Sequence, residues 1–363
     1  MNLNIYPQLP ERKDWRIGCI GAGFIMSDCH LPNYKKAGYI PTAIYSRTLK
    51  SAQEVAEKFN IPHVYDSNTA LMDNPEVEVL DIAVPPQDQL AVIREAVKRD
   101  HIKGILAQKP LGVDFAEAQE IVRLCKDADK VLVVNQNMRY DHSMRALKTL
   151  ISEEEMGDLT LGTIDMRAIP HWAPWQEALG WLTLRIMSIH HLDISRFLFG
   201  DPVKVYCSTT KDPRTKFAHS DGICLTTLEY ENGARFQIND DVWAGPAREG
   251  AAEDCFVRWR VEGTKGLAKG EIGWPKWPEV TPSTLTYSTV ESKEWVTPEW
   301  PEAWFPDAFL GPMSELLCAL EGKPSPMSGQ HNLRTMLLVE ACYMSADKGQ
   351  VINFKELCKE YGI

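Results

Sequence analysis

The fold class can be inferred from the sequence RIGCIGAGFIM, Arg16–Met26. Its apolar first half indicates a strand, Gly21 and Gly23 follow directly, and helical spacing begins after them. The first glycine permits a tight turn, and the second lets the backbone approach a pyrophosphate held by the amides of the next helix. The full dinucleotide pattern has a third small residue, and that position here is Met26. The stretch predicts a strand, a glycine turn and a helix that bind a dinucleotide.

Alternating patterns continue outward from this turn as far as about residue 136. The strand-like runs are RIGCIG, YIPTAIYS, VEVLDIAVP, KGILAQKP and KVLVVNQN. Between them, apolar residues recur at helical spacing in TLKSAQEVAEKF, QLAVIREAVKR and DFAEAQEIVRLCKD. Such alternation predicts an α/β domain with a parallel sheet and helices on both faces, which we place at residues 1–137.

The end of the second predicted strand bears on the choice of dinucleotide. An acidic residue at this point holds the ribose 2′-hydroxyl of NAD, but the chain has Ser46 and Arg47. A serine hydroxyl can bond a ribose, and an arginine can pair with a 2′-phosphate or stack on adenine. We therefore expect NAD as cofactor, with NADP left open.

Composition limits the classes of partner. The chain has 363 residues and a net charge of −11, which predicts about two domains and argues against nucleic acid or anionic membrane as partner. The sequence shows no signal pattern and no apolar run near the roughly 18 residues that span a bilayer, so we expect a cytoplasmic protein that binds a small molecule. Nine cysteines without CxxC spacing indicate buried thiols rather than disulfides or a zinc site.

Several polar residues follow the predicted parallel strands directly. In an open parallel sheet, ligands bind beyond the carboxyl ends of the strands, so these residues are expected to converge on the cofactor. They are Gln87 and Gln89, Lys109 with Pro110, and Asn135 and Asn137.

The remaining residues, 138–363, predict a second, α+β domain. Strand patterns in LTLGTIDMRA, VKVYCSTT, ICLTTLEYE, ARFQINDD and CFVRWRVEG indicate a large, mostly antiparallel sheet. A helix with the sequence IHHLDISRFLFG carries His190, His191 and Asp193. Adjacent helical histidines point in different directions, whereas His190 and Asp193 share a face. Packing and metal binding are alternatives for the two histidines, but no third ligand has diagnostic spacing, so no metal is predicted.

Together these motifs resemble the Gfo/Idh/MocA oxidoreductases, typically sugar and inositol dehydrogenases. The resemblance rests on GAGFI, AVPP, QKPLG, NQNMRYD, IHHLDISRFLFG and ALEGKPSPMSGQHNLRTMLLVEACYMSADKGQ, and extends over nearly the whole chain. It implies a Rossmann domain, a second domain whose sheet makes subunit contacts in a homodimer or higher homo-oligomer, and C-terminal helices that pack at the domain junction.

The resemblance also assigns site residues. It implies that Lys109 takes the proton of the substrate hydroxyl, that Pro110 follows a cis peptide, and that His190 is the catalytic histidine, with Asp193 as its H-x-x-D partner. The residues expected to hold the cofactor are Gly21, Gly23, Phe24, Ile25, Ser46, Arg47, Pro85, Gln87, Gln108, Lys109 and Asn137.

Two positions depart from the family pattern. Gln108 stands where a glutamate is usual, so it can form hydrogen bonds but brings no charge to tune Lys109. Ile186 stands where an aspartate usually precedes the histidine, and an alkyl group takes no proton. Either Asp193 or the cofactor ribose completes the relay, or Lys109 and His190 suffice.

Tryptophans suggest the substrate platform. Seven of the eleven fall between Trp243 and Trp304, but Trp172 and Trp175 are our preferred platform because they lie close in sequence to the histidine helix. Core or interface packing is the alternative for any one of them. We expect oxidation of a ring hydroxyl, at C3 of a bulky glycoside. The alternatives are glycoside cleavage by oxidation and elimination with the cofactor recycled, and a catalytically silent cofactor-binding sensor.

Overall fold

A computed structural model describes residues 3–168, 173–242, 250–252, 254–274 and 277–363. The chain divides into two compact units. The first, called the Rossmann unit below, comprises Tyr6–Tyr140 and Pro306–Met336. The second, called the sheet unit, comprises Asp141–Phe305 and Leu337–Ile363 together with the N-terminal end as far as Ile5.

The Rossmann unit contains a parallel sheet with the strand order β3-β2-β1-β4-β5-β6 among its described residues. Its strands are β1 Arg16–Ile20, β2 Ile40–Tyr45, β3 His63–Tyr65, β4 Val79–Ile82, β5 Gly104–Ala107 and β6 Val131–Val134. Its helices are α1 Leu31–Ala37, α2 Leu49–Phe59, α3 Asn68–Met72, α4 Pro86–Ala96 and α5 Phe115–Asp127, followed near the C-terminus by α9 Leu310–Leu320. The strand order reverses beside β1, so the carboxyl ends of β1 and β4 flank the crevice where such sheets bind ligands.

The glycine turn after β1 depends on the missing side chain of Gly21. This residue has a φ of 107°, and a Cβ there would lie 2.4 Å from the carbonyl oxygen of Ala83. Met26, at the position where the motif expects a small residue, is fully buried in a π-helical turn, Ile25–His30, that leads into α1. The wider turn precedes the α-helix, so Met26 is accommodated within the packed interior.

The sheet unit contains a larger sheet with the order β13-β12-β11-β7-β10-β9-β8-β14 among its described residues. Its strands are β7 Leu159–Arg167, β8 Lys204–Thr210, β9 Ile223–Glu229, β10 Arg235–Asp241, β11 Phe256–Gly263, β12 Gly266–Glu271, β13 Thr284–Thr289 and β14 Ile352–Asn353. The helices are α6 His142–Ser152, α7 Pro174–Leu179, α8 Ile189–Phe199 and α11 Phe354–Glu360, and α10 Gly329–Lys348 contributes its later part. Every described pairing is antiparallel except that of β7 with β10.

The fold class predicted from the sequence is confirmed, including both sheets. The short strands β3 and β14, and the pair β12 and β13, were not predicted. Residues 306–336 cluster with the Rossmann unit, whereas the predicted division assigned everything after residue 137 to the second domain. All nine cysteines are free, as expected, and eight of them are buried. Among the described residues, no helix is long and apolar enough to cross a membrane.

Candidate active site

Lys109 lies just past the carboxyl end of β5, in a loop that a buried glutamine holds in place. The peptide between Lys109 and Pro110 is cis, which confirms the prediction. The Gln89 side chain donates to the carbonyl oxygens of Gln108 at 3.1 Å and Pro110 at 3.2 Å, and it accepts from the Gly112 amide at 3.2 Å. The Gln89 side chain therefore bonds the backbone on both sides of Lys109 and fixes the position from which the Lys109 side chain projects.

The surroundings of Lys109 favour its neutral form. Burial lowers the pKa of Lys109 from its ordinary value of 10.5 to about 7. The cause is desolvation, because a charged amine loses hydration when water is removed from around it. A lysine with a pKa near neutrality is poised to accept and release a proton at physiological pH.

Two amides behind Lys109 converge on a buried histidine. Gln108 and Asn135 are the first residues after β5 and β6, and Asn135 donates to the Gln108 Oε1 atom at 3.1 Å. The Nε2 atom of His30 lies 3.0 Å from the Asn135 amide nitrogen and 3.4 Å from that of Gln108. Because both amide nitrogens are donors, His30 Nε2 acts as the acceptor in this arrangement. Asn137 continues the chain of bonds by donating to Asn135 Oδ1 at 3.3 Å.

A buried carboxylate fixes the other side of His30. Asp81, on β4, accepts from His30 Nδ1 at 2.6 Å and from the Tyr34 hydroxyl at 2.7 Å. All three side chains are inaccessible to solvent. Since Nδ1 carries the proton toward Asp81, Nε2 is left with the lone pair that the two amides require. The carboxylate that Gln108 does not supply is thus present nearby on β4, bonded through His30.

The glycine turn after β1 and the residues that follow β2, which are expected to hold the dinucleotide, have free space or solvent around them. A Cβ at Gly23 would contact nothing within 4 Å, and Phe24 beside it is 43% exposed, with Ile25 half-buried. Beyond β2, Ser46 is half-buried and Arg47 is exposed. A turn with free space over Gly23 suits a pyrophosphate, and the half-buried Ser46 and the exposed Arg47 guanidinium suit a ribose and its substituents, so these residues fit a dinucleotide.

The other residues expected at the cofactor lie on the same unit. Pro85 is half-buried and precedes α4, whose second residue, Gln87, is exposed. Gln108 and Asn137 are both buried and belong to the hydrogen-bonded set described above. Their roles toward the cofactor remain predictions.

The histidine helix of the sheet unit begins at a carboxylate clamp. A π-helical turn, Leu184–Ser188, leads into α8. Asp221 accepts the backbone amides of Leu182, Thr183 and Leu184 at 3.3, 3.2 and 2.8 Å, and Tyr343 donates to the same carboxylate at 2.9 Å. The carboxylate satisfies amides that would otherwise lack partners at a helix start, so it fixes the direction of α8.

The two adjacent histidines of α8 face different partners, as their helical spacing predicts. The ring of buried His190 meets the edge of Trp304 at 5.2 Å between centroids. His191 instead directs Nδ1 to both carboxylate oxygens of Asp240 at 2.9 Å, so its role is packing within the sheet unit. Asp193 is buried on the same helix, three residues after His190.

The Trp304 ring that contacts His190 belongs to an aromatic cluster that was not preferred from the sequence. Trp304 packs against Trp274 at 5.8 Å and against Phe305 at 4.8 Å. Of the two preferred tryptophans, Trp172 lies outside the described residues, and Trp175 packs edge-on against Trp181 at 6.3 Å. Trp304 lies more than a hundred residues after His190 in the chain, so only the fold reveals its contact.

Sequence reasoning also missed His30 and Asp81, and it named Gln89 without a role. A histidine at the start of α1 and an aspartate in the apolar run of β4 are visible in the sequence as polar residues at buried positions. Polar residues in apolar runs require partners once they are buried, which is the signal that could have identified them.

Comparisons with known proteins agree with this architecture. A family model described as an oxidoreductase family with an NAD-binding Rossmann fold matches residues 15–136. A second model, described as a GFO/IDH/MocA C-terminal domain, matches residues 144–269. The two matches together cover most of the chain.

Individual relatives match this chain at low sequence identity. D-apiose dehydrogenase of Rhizobium rhizogenes is 27% identical over 353 residues, which is 95% of this chain and 98% of the relative. Trans-1,2-dihydrobenzene-1,2-diol dehydrogenase of Mus musculus is 32% identical over 174 residues, 46% of this chain and 51% of the relative. An oxidoreductase from Agrobacterium radiobacter, crystallised with NAD+, L-tartaric acid and magnesium, has a TM-score of 0.80 at 23% identity and covers 95% of this chain and 99% of its own.

Proposed function

The chain belongs to the Gfo/Idh/MocA family of NAD-binding oxidoreductases, and we propose that it is a dehydrogenase that oxidises a ring hydroxyl of a sugar, polyol or glycoside to a ketone. The similarity to a D-apiose dehydrogenase over nearly the full length supports a sugar as the substrate class. The single observation that carries the proposal is Lys109, whose pKa burial lowers to about 7 at the carboxyl edge of the sheet.

Lys109 acts as the base in this scheme. Its neutral Nζ atom takes the proton of the substrate hydroxyl as the carbon loses hydride, and the resulting ammonium stabilises the negative charge that develops on the oxygen. A bound nicotinamide ring supplies the hydride acceptor. The residues that hold the dinucleotide are the turn Gly21–Ile25, Ser46 and Arg47, and the strand-end residues Pro85, Gln87, Gln108 and Asn137.

His190 orients the hydroxyl or passes its proton onward, with Asp193 one turn further along α8. Ile186, which is half-buried, contributes only hydrocarbon, so we assign it no part in the relay. Trp304 beside His190 is fully buried, but Trp274 and Phe305, which pack against it, are only half-buried, and their rings suit the C–H faces of a sugar ring or a flat aglycone. They support a bulky glycoside as substrate, and we propose C3 as the position of oxidation.

The test incubates the purified protein with NAD+ or NADP+ and a set of sugars that includes D-apiose, myo-inositol and glucosides with a chromogenic aglycone. Ketone, free aglycone and reduced cofactor are measured in the same samples, and the position of the ketone is determined by NMR. Ketone together with equimolar NADH supports the proposal.

A matched variant, Lys109→Ala, separates chemistry from binding. We expect it to lose turnover while the dissociation constant for NADH changes little. Release of aglycone without net NADH would replace the proposal by oxidation and elimination. Cofactor binding with no product from any sugar would refute a dehydrogenase and favour a sensor.

A further inference from the structure

Gln136 is a buried glutamine whose side chain has no partner within the part of the chain that the structure describes. It is 2% exposed, and neither its Nε2 atom nor its Oε1 atom makes a hydrogen bond. Its backbone, by contrast, is fully engaged, since its amide donates to Val134 at 2.8 Å and its carbonyl accepts from Arg139 at 3.2 Å. A buried carboxamide left unsatisfied at both ends is costly, so its presence in this position requires a reason.

The position of Gln136 supplies that reason. Ala107 and Val134 pair at the carboxyl ends of β5 and β6, and the Asn135 amide donates to the Ala107 carbonyl at 2.9 Å. Gln136 follows Asn135 as Lys109 follows Gln108, so both lie just past neighbouring strand ends at one edge of the same sheet. That edge is where open parallel sheets bind their ligands.

The other buried amides of this edge, within the described residues, already make hydrogen bonds. Gln89 bonds three backbone groups around Lys109, and Gln108 and Asn135 bond each other and His30. Gln136 thus differs from these three neighbours in that both its donor and its acceptor are buried without a hydrogen bond. A carboxamide presents these two groups side by side, and the complementary ligand presents an acceptor and a donor side by side.

We propose that Gln136 is a ligand-contacting residue whose carboxamide makes a paired hydrogen bond to the bound ligand, either to adjacent hydroxyls of the sugar or to the carboxamide of the nicotinamide. This inference deepens the proposed function and rests on it for the identity of the ligand. Both sources share the same chemistry, and the experiment separates them.

The test compares two buried glutamines of the Rossmann unit. Gln136→Met keeps the length of the side chain but removes both polar groups, and Gln89→Met does the same at a site whose polar groups are all bonded. In the ligand-free protein we expect Gln136→Met to leave the Tm unchanged or to raise it by a few degrees, because a desolvation penalty disappears. Gln89→Met is expected to lower the Tm by several degrees, because backbone groups lose their partners.

Ligand affinities of Gln136→Met then show whether Gln136 contacts the sugar or the nicotinamide. A roughly tenfold rise in the KM for sugar with an unchanged NADH dissociation constant assigns Gln136 to the substrate, on the basis of two lost neutral hydrogen bonds. A similar rise in the NADH dissociation constant assigns it to the nicotinamide. A Tm that falls as in Gln89→Met, or affinities that equal those of the wild type, would overturn the proposal.

The result is readable even if the proposed function is wrong. NADH affinity and sugar-induced changes in Tm are measured without turnover. A wild-type protein that converts no sugar, with a Gln136→Met variant that binds NADH or sugar more weakly, would refute the dehydrogenase and leave the role of Gln136 intact.

Discussion

Replacement of Lys109 by methionine should make the protein more stable at low pH and remove turnover. Below pH 7 the folded wild type holds a protonated amine in a desolvated place, and the unfolded chain holds the same charge in water. From about pH 7 to 10.5 the folded lysine is neutral while the unfolded one still binds a proton, so wild-type stability rises with pH. The rise amounts to about 1.4 kcal/mol per pH unit, or about 5 kcal/mol at most over the whole interval.

Urea denaturation at a series of pH values measures this effect as the wild-type free energy of unfolding minus that of Lys109→Met. We expect the difference to increase with pH through the stated window and to level off above it, since the other titrating groups cancel in the subtraction. Lys50→Met is the matched control, because its amine lies on a side chain that is 82% exposed. A difference that is flat between pH 7 and 10 would show that Lys109 has an ordinary pKa, and the case for a neutral base would fail.

Two further perturbations test the surroundings of this site. Asp81→Asn should lower kcat by roughly tenfold to a hundredfold and leave the NADH dissociation constant unchanged, an effect of the size seen for residues that orient metal-bound histidines. The reason is that an amide no longer fixes the tautomer of His30 that holds Gln108 and Asn135. Steady-state kinetics and NADH titration measure both quantities, and a wild-type kcat would rule out this role. Gly21→Ala should lower the free energy of unfolding by at least about 2 kcal/mol, because the added Cβ clashes with the Ala83 carbonyl oxygen and the residue has a positive φ. Urea denaturation measures this loss, with Gly23→Ala as the control because its Cβ enters open space. Equal stabilities of the two variants would contradict the prediction.

The hydrogen bonds among Gln108, Asn135 and His30 explain how the site accommodates a glutamine where the family usually has a glutamate. A neutral amide at this position brings no charge, yet its Oε1 atom is bonded to Asn135, and Asn135 bonds a histidine that is paired with a carboxylate. The negative charge therefore lies on β4 rather than on the residue before Lys109. Since the pKa of Lys109 is lowered by burial, desolvation alone accounts for its shift.

The cis peptide before Pro110 was an expectation from the family resemblance. The residue pattern alone predicted most strands of both sheets, the glycine turn and the separate orientations of His190 and His191. These features depend on local properties: the period of apolar residues, the conformational freedom of Gly21, and the angle between neighbours on a helix.

The environment of these residues depends on contacts between distant parts of the chain. His30 and Asp81 are separated by 51 residues and His30 and Asn135 by 105, and helical crossovers between parallel strands bring them together. The burial that lowers the pKa of Lys109, the clamp by Gln89 and the unpartnered amide of Gln136 likewise arise from packing around the strand ends. Desolvation and hydrogen bonding depend on which atoms surround a group in space. The spacing of apolar residues along the chain does not specify these neighbours.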